Sequence, residues 1–198
     1  MKALTDDQRA RRQRGILTAA TRVLAAGGPD SLTMDRVARE AGMAKGTLFL
    51  YYANKEELVL AIMESWVDEL AARFDAILHA AEAPEARLRS LVLALLSNFD
   101  RRRDLTGYSI GLPVSQAARA GLRERFEGNM RRIAAVLEGC AAGGLLELDD
   151  PMFAASSLFG LCRGSTSYAR AAGRHLPVQE RTARVMKIFL NGTRRLKQ

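Results

Sequence analysis

The sequence predicts an all-α fold of about nine helices, in which three short N-terminal helices precede a larger helical domain. Three observations predict this fold. Apolar residues recur at intervals of three and four over most of the chain, no segment alternates like a strand, and Gly or Pro separates the helical patterns. The expected domain boundary follows residue 53, which gives domains 1–53 and 54–198.

The charge of the chain is unevenly distributed. Its 198 residues include 30 Lys and Arg against 22 Asp and Glu, a net charge of +8. Ten of the cations but five of the acidic residues lie in the first 55 positions, so this quarter carries a charge of +5 (ten minus five). An excess of this kind favours an anionic partner.

The first helix is expected from about Arg9 to Ala26, because Ile16, Ala20 and Leu24 recur with a helical period. Its first turns carry a run of arginines, namely Arg9, Arg11, Arg12 and Arg14. Such a run is typical either of a solvated helix surface or of an arm that touches the backbone or minor groove of DNA. The sequence leaves both readings open.

Residues 33–52 contain two helical patterns joined at Gly42. Thr33 is placed to cap the first pattern, and in the second Leu48 and Tyr52 lie one turn apart and are expected to pack inward. The second helix then faces outward with a mixed set: Lys45, Gly46, Thr47, Phe49, Leu50 and Tyr51. A short helix that exposes a cation, a hydroxyl and apolar groups suits the DNA major groove, where phosphates and thymine methyls are both within reach.

At these residues the chain resembles the TetR family of bacterial repressors. The positions that match the family signature are Thr33, Val37, Ala38, Ala41, Gly42, Lys45, Gly46, Thr47, Leu48, Lys55 and Leu58. Three positions depart from it, because Ala44 replaces the usual Ser, Phe49 the usual Tyr and Tyr52 the usual Phe. The first change removes a helix cap, and the second removes a hydroxyl that family members can place on a phosphate.

The resemblance implies a helix-turn-helix DNA-binding domain followed by a helical ligand-binding and dimerisation domain. It implies a dimeric, ligand-responsive transcriptional repressor on a pseudo-palindromic operator, released by a small molecule. Thr33, Thr47, Tyr51 and Lys55 are the expected phosphate contacts, while Lys45, Gly46, Phe49 and Leu50 are expected at the base edges. The alternative function is a nonspecific, structural DNA-binding protein without a ligand.

A long fourth helix is expected to begin at Asn54, which forms a capping-box pattern with Glu57, and to continue through Ile77. A fifth helix starts at Pro84 and ends near the sequence RRRD at 101–104. Residues 105–115 look irregular, and the family usually has a short sixth helix there.

Three further helices are predicted, at about 116–141, 150–172 and 177–196. Asp150 and Pro151 give a strong start signal for the second of them. This helix is rich in small residues that allow close approach of another helix: Ala154, Ala155, Ser156, Ser157, Gly160, Gly164 and Ser165. We therefore expect a homodimer that pairs through helices near 151–172 and 177–196.

The resemblance also implies an effector cavity among the fourth to eighth helices. The candidate ligand-binding residues are Trp66, Phe99, Tyr108, Phe126, Met130, Phe159, Cys162 and Arg163. Arg163 would serve an anionic ligand if it turned inward. Ordinary core packing is the alternative for each of these residues taken alone.

Catalytic and metal-binding patterns are missing from the sequence. His79 and His175 have no HExxH or similar context, and Cys140 and Cys162 have no CxxC spacing, so buried thiols are expected rather than a redox sensor. We expect no enzyme activity, no metal and no cofactor. With no signal sequence and no apolar run of about 18 residues, the chain is expected to be cytoplasmic.

Overall fold

The computed structural model describes residues 5–101, 115–173 and 176–192. Every regular element in these ranges is helical, which confirms the all-α prediction. The helices are α1 Asp6–Gly27, α2 Met34–Glu40, α3 Lys45–Phe49, α4 Lys55–His79, α5 Pro84–Arg101, α6 Gln116–Ala142, α7 Pro151–Ala171 and α8 Val178–Gly192, with a 3-10 turn at Pro29–Ser31. The sixth helix expected near 105–115 lies outside the described residues.

Side-chain caps fix the start of several helices. Asp150 Oδ1 accepts from the amides of Met152 and Phe153 at 2.9 and 3.0 Å, as the sequence predicts. The amide of Glu57 donates to Asn54 Oδ1 at 2.8 Å. The reciprocal half of this box is displaced by one residue, because the Glu57 carboxylate accepts from the amide of Ala53.

The helix α1 begins three residues before its predicted start. Thr5 and Gln8 form a complete capping box, and Asp6 and Asp7 lie in the first turn, where the positive end of the helix dipole favours acidic groups. The arginine run is therefore helical from its first member. Arg11 pairs with Asp7 at 3.1 Å on the exposed surface.

The structure divides into two compact units, with boundaries inside α4, between Trp66 and Val67, and inside α6, between Leu122 and Arg123. The first unit contains the three N-terminal helices, the beginning of α4 and the first residues of α6. Its core is an apolar cluster: Ile16, Ala20, Val23, Leu24, Leu32, Val37, Ala38, Leu48, Tyr52, Leu58, Val59 and Ile62. The boundary between Trp66 and Val67 differs from the domain boundary predicted after residue 53, which remains a prediction.

The second unit contains the end of α4, α5, most of α6, and α7 and α8. The helix α5 lies at its centre, since Leu88, Leu91, Val92, Leu95 and Leu96 are all completely buried. These side chains pack with a large apolar cluster contributed by α4, α6, α7 and α8. No helix of the described ranges is long and apolar enough to cross a membrane.

Candidate nucleic-acid interface

The turn between α2 and α3 depends on Gly42. This residue has a φ of +66°, a left-handed conformation that side-chain-bearing residues rarely adopt. The chain reverses there, and the Met43 amide donates to the Ala38 carbonyl at 3.0 Å. The glycine therefore sets the angle at which α3 leaves α2, as expected for a helix-turn-helix.

The helix α3 covers Lys45–Phe49 and is shorter than the predicted 45–52. Residues after it continue as a turn, in which the amides of Tyr51 and Tyr52 both donate to the Leu48 carbonyl. Leu48 and Tyr52 are buried in the first-unit core, as predicted. Burial raises the pKa of the Tyr52 phenol, and the charge of Glu64 acts in the same direction.

The predicted base-contacting residues lie on the exposed side of α3. Lys45, Gly46, Phe49 and Leu50 are all exposed, and Leu50 has 73% of its surface free. Of the predicted phosphate contacts, Thr33 is exposed, while Thr47, Tyr51 and Lys55 are half-buried. Residues of both sets lie on α3 or close to it, and this short helix has no side-chain cap at Ala44.

The sequence reading missed the partner of Lys45. Its Nζ atom lies 2.9 Å from Asp35 Oδ1 and 3.1 Å from Asp35 Oδ2, and both side chains are more than half exposed. Asp35 also lies in the first turn of α2, where the helix dipole favours an acidic group. Its second role links α2 to α3 across the turn.

A groove of about 640 Å³ lies in the first unit between α1 and the turn that precedes α3. Arg12, Thr18 and Arg22 line it from α1, and Arg22 reaches Glu40 at 3.6 Å. Arg9, Arg12 and Arg14 are exposed and form no ion pair with another described residue. The first half of α1 therefore carries these three exposed arginines, of which Arg12 lines the groove.

Several candidate ligand-binding residues meet in the second unit. The Phe159 ring packs edge-on against Phe99 at 5.1 Å and against Phe126 at 5.3 Å. Met130 and Cys162 are buried in the same apolar core. Five of the eight candidates therefore pack against one another or in the apolar core of the second unit.

The other three candidates are placed differently. Arg163 is exposed on α7, and Trp66 packs against the apolar cluster of the first unit. Tyr108 lies outside the described residues. The aromatic cluster of the second unit therefore consists of Phe99, Phe126 and Phe159, without Trp66 or Arg163.

Arg181 is a buried cation in the second unit, and the sequence analysis did not predict it. It is 4% exposed, and its guanidinium pairs with Asp100 and donates to Thr166 Oγ1 at 3.1 Å and to the Leu176 carbonyl at 3.3 Å. Asp100 lies between Phe99 and Arg101, and Arg101 pairs with Glu69 of α4 at 3.3 Å. The last turn of α5 thus contacts α7, α8 and α4 through three consecutive residues.

Cys140 and Cys162 are buried, and His79 bonds to the backbone of its own helix. Burial raises the pKa of the Cys162 thiol to about 12, partly opposed by the nearby Arg181, and burial also raises the pKa of Cys140. His79 is exposed and its Nδ1 donates to the Asp75 carbonyl at 2.7 Å. Within the described ranges, no group of three His, Cys, Asp or Glu is arranged to hold a metal ion, and His175 lies outside these ranges.

One face of α7 and α8 exposes large apolar side chains. Phe153, Tyr168 and Ile188 each expose more than half of their surface. Between the two aromatic residues lie Gly160 and Gly164, where an added Cβ would meet no other group within 4 Å. The backbone at the middle of α7 is therefore not covered by side chains at these two glycines, and exposed apolar side chains lie on either side of it.

Two family models match the chain. Residues 16–62 match the bacterial regulatory proteins of the tetR family, and residues 114–190 match the C-terminal domain of AefR-like transcriptional repressors. Nucleoid occlusion factor SlmA of Sodalis glossinidius is 28% identical over 177 residues, covering 85% of this chain and 88% of that protein. SlmA of Escherichia coli O127:H6 is 26% identical over 184 residues, covering 89% and 92%.

Solved structures show the same fold. A transcriptional regulator of the TetR/AcrR family from Thermobifida fusca superimposes with a TM-score of 0.73 and 27% identity, covering 93% of this chain and all of that one. FadR of Bacillus subtilis, solved in complex with stearoyl-CoA, has a TM-score of 0.71 and 18% identity, covering 91% of this chain and 99% of that one.

Proposed function

Because this chain belongs to the TetR family of bacterial regulatory proteins and is a DNA-binding transcriptional regulator, we propose that it is a dimeric repressor of a pseudo-palindromic operator, released by a small molecule. Members of this family are DNA-binding regulators and not enzymes, in agreement with the expectation from the sequence. The observation that carries the proposal is α3, which exposes Lys45, Phe49 and Leu50 above the buried Leu48 and Tyr52.

The proposed DNA contacts follow from the exposure of each residue. Lys45, Gly46, Phe49 and Leu50 enter the major groove, where the apolar pair Phe49 and Leu50 favours thymine methyl groups. Thr33, Thr47, Tyr51 and Lys55 contact phosphates on either side of the groove. Residues 1–53 would thus read DNA, and residues 54–198 would bind the effector and the second copy.

The exposed apolar face of α7 and α8 supports the homodimer. Phe153, Tyr168 and Ile188 surround a glycine-rich stretch that admits a second helix closely, and a second copy would remove these groups from water. A dimer holds two copies of α3 about 34 Å apart, which is one turn of DNA. Dimerisation therefore accounts for the apolar face and predicts a palindromic operator.

For the effector, we propose a small amphipathic molecule bound near the aromatic cluster of Phe99, Phe126 and Phe159. FadR of Bacillus subtilis, which shares the fold, was solved with stearoyl-CoA. Met130 and Cys162 supply buried apolar surface beside these rings. A thermal-shift screen tests the proposal, because a ligand that binds only the folded protein raises its melting temperature by mass action.

A second candidate function is DNA coating without an operator, which is favoured by the relatives named nucleoid occlusion factors. Titration on upstream DNA and on random DNA at about 150 mM salt separates the two functions. A repressor should prefer its operator by at least about a thousandfold. Comparable affinities for the two DNAs would support coating and contradict the proposed repressor.

The variant Lys55→Ala tests the proposed phosphate contact within the same titration. It should weaken binding to both DNAs about equally and reduce the slope of log affinity against log salt by roughly one phosphate's share. Unchanged affinity and slope would remove Lys55 from the interface.

A further inference from the structure

Two asparagine side chains are buried in the second unit, and the oxygen of each has no hydrogen-bond partner among the described residues. Asn129 of α6 is 3% exposed, and Asn98 of α5 is 8% exposed. Neither Asn98 Oδ1 nor Asn129 Oδ1 accepts a hydrogen bond. A buried acceptor that stays unpaired costs free energy, since water bonds to it in the unfolded chain. Each oxygen therefore needs a donor that the described part of the chain does not supply.

The orientation of the Asn129 amide is fixed by its nitrogen. Asn129 Nδ2 donates to the Val67 carbonyl of α4 at 3.0 Å. A carbonyl oxygen can only accept, so the nitrogen of the amide and not its oxygen must face Val67. The oxygen lies on the other branch of the amide, turned away from this carbonyl. Reversing the amide would lose the bond to Val67, so the oxygen stays unpaired in the favoured orientation.

The helices α5 and α6 run antiparallel, and the aromatic cluster lies where α5 ends. Near the start of α5, Cys140 Sγ from the end of α6 donates to the Pro84 carbonyl at 3.4 Å. Near the end of α5, Phe99 contacts the Phe159 ring, and Phe126 from the first half of α6 contacts the same ring. Phe99 and Phe126 therefore lie at the same level of the two helices.

Both asparagines border this aromatic cluster. Asn98 directly precedes Phe99 on α5. Asn129 follows Phe126 by three positions, a spacing that makes two residues neighbours on the surface of a helix. Phe126 is 43% exposed, so the cluster can be reached from solvent. The second unit thus combines three aromatic rings with two buried acceptors at one level.

From these two acceptors, and resting on the proposed effector site, we propose that the effector carries an uncharged hydrogen-bond donor next to its apolar part. A hydroxyl or an amide N–H donates to the asparagine oxygens, while the apolar part packs on the rings of the aromatic cluster. An ionised carboxylate has no donor and satisfies neither oxygen. The effector class is therefore amphipathic alcohols, phenols and amides, and not the anions of fatty acids.

An ordered water is the other partner that a buried acceptor can take. Such a water keeps the oxygen paired with and without the effector, so a donor on the effector gains nothing at that oxygen. An acceptor that is paired only by the effector behaves differently, because the donor then contributes directly to affinity. The two cases are separated by measuring whether a donor on the ligand strengthens its binding.

Matched probes that differ in a single donor make this measurement. Decanol and β-naphthol each carry one hydroxyl, and in their methyl ethers a methyl group replaces the hydroxyl hydrogen. Each hydroxyl probe should bind the unaltered protein about five- to tenfold more tightly than its ether, as expected for one neutral hydrogen bond. Decanoate should also bind more weakly than decanol. Isothermal titration calorimetry measures the affinities.

Leucine substitutions test whether the two asparagines supply the acceptors. Asn98→Leu and Asn129→Leu remove the oxygens with little change in volume, and each should reduce the preference for the hydroxyl probe. In the combined variant, the hydroxyl probe should bind within about twofold of its ether, because the ligand hydroxyl then has no partner. Asn191→Leu is the matched control, since it makes the same change at an exposed position of α8, and it should keep the full preference. Circular dichroism checks that each variant is folded.

The inference and the proposed effector site fail in different ways. If a hydroxyl probe and its ether bind the unaltered protein equally, the site near the aromatic cluster stands and the inference is wrong; this comparison does not depend on the folding of any variant. A hydroxyl preference that survives in the folded combined variant also contradicts the inference. If none of the probes binds the unaltered protein, the effector site itself is contradicted, and the inference with it.

Discussion

Both units of the molecule contain ion pairs that join two helices, and a comparison of one pair from each unit shows a difference in burial. In the first unit, Lys45 and Asp35 are both more than half exposed. In the second unit, Arg181 is 4% exposed, while its partner Asp100 is 41% exposed. An exposed pair contributes little to stability and exchanges its partners freely, whereas a buried guanidinium must keep a counter-charge. The first pair therefore suits binding, and the second suits structure.

The apolar groups of the two units differ in the same way. Phe49 and Leu50 are exposed on a helix of five residues beside the cation Lys45. Phe153 and Ile188 are exposed on long helices and line a groove together with the carboxylates of Asp149 and Asp150. Apolar surface beside a lysine fits DNA, whose phosphates are negative, and apolar surface beside carboxylates fits protein.

The largest expected effect comes from breaking the buried pair. Asp100→Ala should lower the free energy of unfolding by about 2–3 kcal/mol. This loss is smaller than for a fully buried pair, because the Asp100 carboxylate is partly exposed. Asp35→Ala should lower it by less than about 1 kcal/mol. Urea denaturation measures both. Equal losses would mean that burial does not distinguish the two pairs.

The next effect concerns pH and the buried thiol of Cys162. Its pKa in the folded state is raised to about 12, above the unfolded value of about 8.5. The folded thiol keeps its proton where the unfolded chain has lost it, so its stabilisation is complete below about pH 8.5 and is lost progressively as the pH rises towards about 12.

The comparison with Cys162→Ala isolates this effect. Between about pH 9 and 11, the free energy of unfolding should fall more steeply in the unaltered protein than in the variant, by roughly 1.4 kcal/mol per pH unit. Denaturation of both proteins over this pH range measures the difference. Parallel pH profiles would contradict the raised pKa.

A smaller effect follows from the exposed pair. Asp35→Asn should increase DNA affinity roughly two- to fivefold at low salt, because it removes the carboxylate that competes with phosphate for Lys45. The increase should fade as salt is raised. Asp68→Asn is the matched control, since Asp68 pairs with Arg125 in the second unit. Unchanged or weaker DNA binding by Asp35→Asn would show that Asp35 holds Lys45 in place for DNA.

The smallest expected effect concerns base preference. Leu50→Ala should change the free-energy preference for one base over the others at one operator position. The expected change is about 1 kcal/mol, which is the lower end of the range for a base contact. It should alter neither folding nor salt dependence, since the side chain lies on the surface. Selection of binding sites from random DNA measures the preference, and an unchanged site would remove Leu50 from base readout.

The local features of the fold were predictable because they depend on residues close together in sequence. Asp150 caps α7, Asn54 and Glu57 start α4, and Leu48 and Tyr52 pack inward, each as its spacing predicts. The exposed set on α3 followed from the same helical period. These features need no knowledge of how distant helices pack.

The long-range features could not be predicted for the same reason. Arg181 lies in the sequence QERTAR, which is typical of a solvated helix surface, and only the packing of α5 against α8 buries it. Arg163 has the same residue type on an apolar helix but is exposed. Which arginine points inward is decided by partners such as Asp100, 81 residues away from Arg181.

The last turn of α5 has a mechanical consequence. Successive residues of an α-helix point about 100° apart, so Phe99, Asp100 and Arg101 reach three different neighbours around one turn. A displacement that relaxes one of these contacts strains the other two. A molecule that displaces this turn therefore acts on α4, α7 and α8 together.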